Sequence, residues 1–104
     1  MAKIERKNFP DAVQAAPKTT KVLYENDKFR VIEERFRKGQ RVPMHHHPPY
    51  FAYFADRMKF KLTFPDGKTD LVKVKKGDWG LNEEGGTHAV ENYLKGAILV
   101  VEIK

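Results

Sequence analysis

The sequence predicts an all-β domain, a small barrel or sandwich, and three observations carry that expectation. Short segments of alternating apolar and polar residues recur along the chain, turn signals separate them at regular spacing, and no long stretch keeps a helical period. Residues 59–64 are the clearest case. Phe60, Leu62 and Phe64 fall on one face, and Lys59, Lys61 and Thr63 on the other, as the two-residue repeat of a strand requires. Pro65-Asp66-Gly67 then marks a hairpin, because glycine takes the positive φ of a tight turn without a Cβ penalty. Residues 70–75 form the return strand. Residues 29–37 make an earlier strand that stops at Lys38-Gly39. Lys76-Gly77-Asp78 is a further turn, and residues 87–93 and 97–103 are the last two strands, parted by Lys95-Gly96. The final strand is apolar on both faces, so one face lines the core and the other is available to an arm or a partner.

A chain of 104 residues fits one domain. Residues 1–20 lack a clear period, are punctuated by Pro10 and Pro17, and read as an irregular arm with about one helical turn at residues 12–16. Residues 21–104 read as the barrel. The absence of cysteine excludes disulfides, thiolate metal sites and a cysteine nucleophile. The charged start at residues 1–7 is not followed by an apolar run, and residues 97–101 are far too short an apolar stretch to span a bilayer. A cytoplasmic protein with no membrane partner is the expectation. The formal net charge of +6 raises the question of nucleic acid. The lysines alternate with apolar residues along strands, however, which describes a solvated sheet face and not a basic groove.

The histidines are the sharpest feature. Three are consecutive, His45, His46 and His47, inside the chain between Met44 and Pro48. On a strand, His45 and His47 share a face and His46 points away. Two imidazoles on one face form a natural chelate for a metal ion. His88 follows the loop Glu83-Glu84-Gly85-Gly86 and opens an apolar strand. Alone it reads as a structural residue, but beside the pair it becomes a candidate third ligand.

These residues and their spacing resemble the cupin superfamily. Its first motif, G-x5-H-x-H-x3,4-E-x6-G, is met by Gly39, His45 and His47. Its second, G-x5-P-x-G-x2-H-x3-N, is met by Gly77, Gly85, His88 and Asn92. The resemblance implies a cupin double-stranded β-helix, a conical jelly-roll barrel, with one divalent transition metal ion (iron, zinc, nickel or manganese) on His45, His47 and His88. Small cupins grouped with β-alanine degradation are the most similar, through His-Pro-Pro-Tyr at 47–50, Phe-Pro-Asp-Gly-Lys at 64–68 and Thr-His-Ala-Val-Glu-Asn at 87–92. Three positions depart from the motifs. The glutamate ligand should fall at Phe51 or Ala52, the closing glycine falls near Met58, and the proline is Glu83. The site is therefore three imidazoles without a carboxylate, which leaves open positions on an ion.

The function expected is that of a metal-dependent enzyme acting on a small organic molecule. Dioxygenase-like chemistry is the first reading, by similarity to three-histidine thiol, ring- and diketone-cleaving dioxygenases. A non-catalytic ligand-binding or sensor cupin is the alternative; a metal-dependent lyase or hydrolase, or a sugar isomerase, comes after it. Tyr50 and Tyr53 are candidate proton donors and Glu83 a candidate base, each set against a plainer role in packing or in a solvated loop. Asn92 shares the face of His88 and could support the site by hydrogen bonding. Phe51 and Phe54 read as core, and Trp79 as an anchor in core or dimer. Arg35, Arg37 and Arg41 read as solvated strand residues. A homodimer is expected from the resemblance and from the apolar last strand.

Overall fold

The structure, a computed structural model, describes residues 9–104; the first eight residues of the expected arm lie outside them. One helical turn, α1 (Ala12–Ala15), precedes nine strands: β1 (Thr20–Glu25), β2 (Phe29–Phe36), β3 (Arg41–His47), β4 (Tyr50–Phe54), β5 (Met58–Thr63), β6 (Thr69–Val74), β7 (Trp79–Asn82), β8 (Gly86–Asn92) and β9 (Gly96–Ile103). They form two antiparallel sheets, β1-β2-β9-β4-β7 and β3-β8-β5-β6. Sheets packed face to face bury the inward member of each alternating pair. Ile32, Phe36, Val42, Ala52, Met58, Phe60, Ile98 and Val100 make that core.

The alternating strands fall where the sequence places them. Three others are not announced by alternation: β1, whose Val-Leu-Tyr run breaks the repeat, and β4 and β7. The Tyr-Phe-Ala-Tyr-Phe of β4 has no polar member in its repeat, and β7 is four residues long. Their register corrects the reading of Phe51. It faces outward and stacks on Trp79, with ring centroids 5.7 Å apart, while Ala52 faces the core. Phe54 packs against the core as expected.

Residues 9–19 pack along β3 of their own barrel. The His46 backbone N–H donates to the Pro10 carbonyl (2.9 Å), and the His46 ring pairs with the Phe9 carbonyl (2.7 Å). Asp11 and Gln14 cap α1 reciprocally, at 2.8 and 3.2 Å, so that two otherwise unpaired helix N–H groups are satisfied. Ala12 is fully buried beneath.

The last strand, β9, lies inside its sheet between β2 and β4. Its inward face carries Ile98, Val100 and then Glu102, and its outward face carries Leu99 and Val101. Across the outer face of this sheet one row of residues in register is apolar from edge to edge: Tyr24, Val31, Val101, Phe51 and Leu81. Trp79 flanks it and is 66% exposed. Among the described residues no helix is long and apolar enough to cross a membrane.

Candidate metal centre

A β-bulge aims the histidine pair. Val42 pairs with Val90 and His45 with His88, so β3 spends three residues where β8 spends two. Without that extra residue, parity with the inward-facing Val42 would turn His45 out to solvent. Pro43 sits in the bulge, on an edge strand, where its missing N–H costs no ladder bond. Beyond the bulge ordinary alternation resumes: His45 and His47 are buried and His46 turns to the arm. His88 is the cross-strand partner of His45.

The loop before His88 is fixed by close backbone contact. Gly85 has φ +74°, and a Cβ there would lie 2.5 Å from the His47 carbonyl oxygen and 2.9 Å from the Pro48 carbonyl carbon. A hydrogen side chain is therefore required on both counts. This contact holds the third histidine's loop against the end of the strand that carries the first two.

The three rings converge. Each offers a ring nitrogen, and these atoms lie within 4.8 Å of one another. His45 Nδ1 lies 2.8 Å from the Pro43 carbonyl, and His47 Nδ1 lies 2.8 Å from the Glu102 carboxylate. A carbonyl and a carboxylate only accept, so both Nδ1 atoms carry a proton, and in the neutral form of each ring Nε2 carries the lone pair. Those two Nε2 atoms face each other at 3.1 Å. That is the spacing of two nitrogens that each lie about 2.1 Å from one shared ion. The donor set thus fits a transition metal ion. The position where the resemblance places a glutamate is occupied inward by Ala52, and no carboxylate joins the cluster among the described residues.

Glu102 and Arg30 complete the support, and sequence reasoning missed both. They are direct cross-strand partners. The Arg30 guanidinium donates to Glu102 at 2.8 Å and approaches Asp11 of the arm at 3.4 Å. Burial pushes the Glu102 carboxyl up, but the His47 hydrogen bond and the Arg30 charge outweigh it and hold it below the usual range. His45 and His47 are thus each held in one tautomer from behind, by the Pro43 carbonyl and by Glu102. The available signal was an acid at the inward parity of Ile98 and Val100.

The candidate catalytic residues separate. Tyr50 lines the cavity beside the histidines, with its ring centroid 4.9 Å from that of His47. Tyr53 is 40% exposed on the outer face and is corrected to a surface residue, because strand parity opposes it to Ala52. Glu83 is exposed in the loop after β7 and does not line the cavity. Asn92 is buried and does line it. Its amide donates to the carbonyls of Arg37 and Leu94, so it ties down loop backbone and not a histidine. Arg35 and Arg41 are exposed and pair with Glu33 and Glu91. The cavity is about 240 Å³, with mostly apolar walls that include Phe36, Phe54, Phe60 and Val90.

Burial, followed by the charge of His47, lowers His45 to about 4 against the opposing pull of Pro43; burial, then His47 and His45, lowers His88 to about 3. Both rings are thus kept in the neutral, metal-ligating form. In the unfolded chain they protonate near 6.5, so between there and about 4 the unfolded state holds two more protons and stability falls with falling pH. Glu34 has the opposite sign. Burial raises its pKa above 4.5, so its contribution is present at low pH and is lost as pH rises through the raised value. Two imidazoles outweigh the one carboxyl, so on balance stability falls as pH falls through this range. The urea midpoint of chelator-treated protein should therefore drop between pH 6.5 and 4.5. A midpoint that is flat or rises over this range would contradict the burial of two neutral rings.

No known family profile matches the sequence, and no curated protein matches it. Solved structures do. A cupin domain from Bordetella pertussis superposes with TM-score 0.74 at 23% identity, over 98% of this chain and 99% of that one. An RmlC-like cupin from Desulfovibrio desulfuricans gives 0.62 at 15%, over 81% and 79%. The polyketide cyclase RemF from Streptomyces resistomycificus gives 0.61 at 22%, over 99% and 79%. The chain has the cupin fold, a jelly roll of two antiparallel sheets. Its three buried histidines are placed where a metal ion could be held.

Proposed function

We propose that the protein is a metal-dependent cupin enzyme that holds one divalent transition metal ion on His45, His47 and His88 and acts on a small organic molecule in the adjoining cavity. One observation carries this reading: two buried Nε2 atoms face each other at 3.1 Å while both Nδ1 protons are already committed. Two acceptors at that distance repel unless a cation or proton lies between them. When bound, the ion would supply a Lewis acid with open positions for substrate and for dioxygen or water. Glu102 and the Pro43 carbonyl hold the rings that face it. The apolar walls exclude bulk water, and Tyr50 places a phenol beside His47. Three neutral ligands leave the ion's charge uncompensated, which suits an anionic or oxygen-donor co-ligand, and dioxygenase-like chemistry is our first reading.

Protein purified without added metal or chelator should carry close to one equivalent of transition metal by elemental analysis. His45→Ala and His88→Ala should carry far less and lose the thermal stabilisation given by added metal. Metal-free wild-type protein, together with a His88→Ala variant of unchanged melting temperature in added metal, would end the proposal. Oxygen uptake by the loaded protein with small thiols, diketones and amino acids tests the reaction class. If these give no uptake, the non-oxidative reading stands in its place, and the likeness to a polyketide cyclase then gives the next assays.

We also propose a homodimer through the outer face of the five-stranded sheet. The Tyr24–Leu81 row and Trp79 form a contiguous apolar strip, exposed at Tyr24, Leu81 and Trp79 and half-buried at Val31, Val101 and Phe51 between them, a feature that marks association sites. Light scattering should give twice the chain mass at micromolar concentration, and Trp79→Lys should return it to the monomer. A monomeric wild type excludes this reading.

A further inference from the structure

Glu34 has no role in the scheme above, yet it is only 6% exposed and lines the cavity together with His47 and His88. Parity puts it on the inward face of β2, between the core residues Ile32 and Phe36. Among the described residues no hydrogen bond or ion pair reaches its carboxyl group, and the residue forms part of the cavity wall. It differs in this from Glu102, which has partners on both oxygens. An unpaired carboxyl in an apolar wall costs stability. Such a group in a folded protein calls for a partner that arrives from outside the chain.

We infer that Glu34 is the ligand-anchoring residue of the cavity, and that it selects a small, largely apolar molecule bearing a neutral hydroxyl, of the phenol, enol or alcohol type. The cavity's aromatic and aliphatic walls and its volume of about 240 Å³ suit a body of about one ring. The donor must be neutral. Three imidazoles do not compensate an ion's charge, so a cationic amine would enter against it. A hydroxyl donates to the Glu34 oxygen and still offers its own oxygen to the site. The inference rests on the proposed function for the neutrality of the donor and for this last point. The pairing of Glu34 with the hydroxyl depends on no metal.

The test is calorimetric binding of three probes, phenol, toluene and benzylamine, to full-length wild type, Glu34→Gln and Glu34→Leu, each as purified and after chelation. Wild type should prefer phenol over toluene by roughly tenfold, the worth of one hydrogen bond to a carboxyl in an apolar site. The preference should survive chelation, and benzylamine should bind more weakly than phenol to the protein as purified. Glu34→Leu should bring the phenol-to-toluene ratio close to one, keep the metal content of wild type, and raise the melting temperature, because an unpaired buried carboxyl has been removed. Loss of the preference on chelation would assign it to the ion and overturn the role of Glu34 while leaving the metal reading intact. Loss of metal from Glu34→Gln would make Glu34 a fourth ligand and overturn it as well. So would a lower melting temperature for both variants, which would give the carboxyl a structural partner. A metal-free protein whose phenol preference persists would retire the metal reading and keep this one.

Discussion

Arg30→Met is expected to destabilise the protein by about 3–5 kcal/mol, the cost of leaving a buried charge without its partner. The Glu102 side chain is 2% exposed and that of Arg30 14%. Among the described residues, the guanidinium is the one permanent cation paired with that carboxylate; the other partner, His47, is charged only if protonated. Methionine preserves much of the stem's packing, so the loss reports the charge and not a cavity. The surface pair Arg41–Glu91 is the internal control. Arg41 is 79% exposed, and Arg41→Met should stay within about 1 kcal/mol of wild type. Glu102→Gln separates support of the site from support of the fold. Its amide oxygen can still accept from His47 Nδ1, but it neutralises the carboxylate behind the ring, and metal affinity should fall by about 10- to 100-fold. Urea unfolding and competitive metal titration of the three variants give the answer. An Arg30→Met cost no larger than that of Arg41→Met would show that the buried network is not what anchors His47.

How much of this was legible in the sequence follows from which physics each part uses. Alternation, apolar runs and turn signals are local, so β2, β5, β6, β8 and β9 could be read from residue order, and so could the parity that separates His46 from its neighbours. The meeting of His88 with the pair is not local. It came from the resemblance to a two-motif pattern, and it appears in the structure as the direct pairing of His45 with His88. Residue order reads Phe51 as core and Tyr53 as a candidate for the cavity, because an aromatic run has no polar member to show which face is out. Only the register with β7 and β9 settles that. Arg30, Glu34 and Glu102 illustrate a different gap. Each is a charge at an inward position of its strand, beside Ile32 and Phe36 on β2 or Ile98 and Val100 on β9, which a reading for hydrophobic period treats as noise. The same observation, asked as a question about where a buried charge finds its partner, would have singled out all three.

Gly85→Ala should be the most damaging small substitution in the chain, with a loss of about 4 kcal/mol, and Gly67→Ala measures how much of that belongs to the site. Both glycines have positive φ, +74° at Gly85 and +88° at Gly67. Forcing alanine into that region costs about 1–2 kcal/mol at either position. The surroundings differ. Nothing lies within 4 Å of a Cβ at Gly67, at the tip of the hairpin between β5 and β6, whereas at Gly85 the new carbon meets the His47 carbonyl oxygen at 2.5 Å. That contact is with backbone, so no side chain can swing aside. Relief requires moving the end of β3 or the start of β8, and overpacking of this kind adds about 1–3 kcal/mol. His47 and His88 are carried on the two segments that would move apart. Gly85→Ala should therefore weaken metal binding in parallel with stability, while Gly67→Ala should leave metal affinity at the wild-type value. Denaturant unfolding and metal titration of the pair decide the matter. Equal losses of stability with equal affinities would mean that the loop yields without displacing the histidines, and that close backbone packing is not what sets the geometry of the centre.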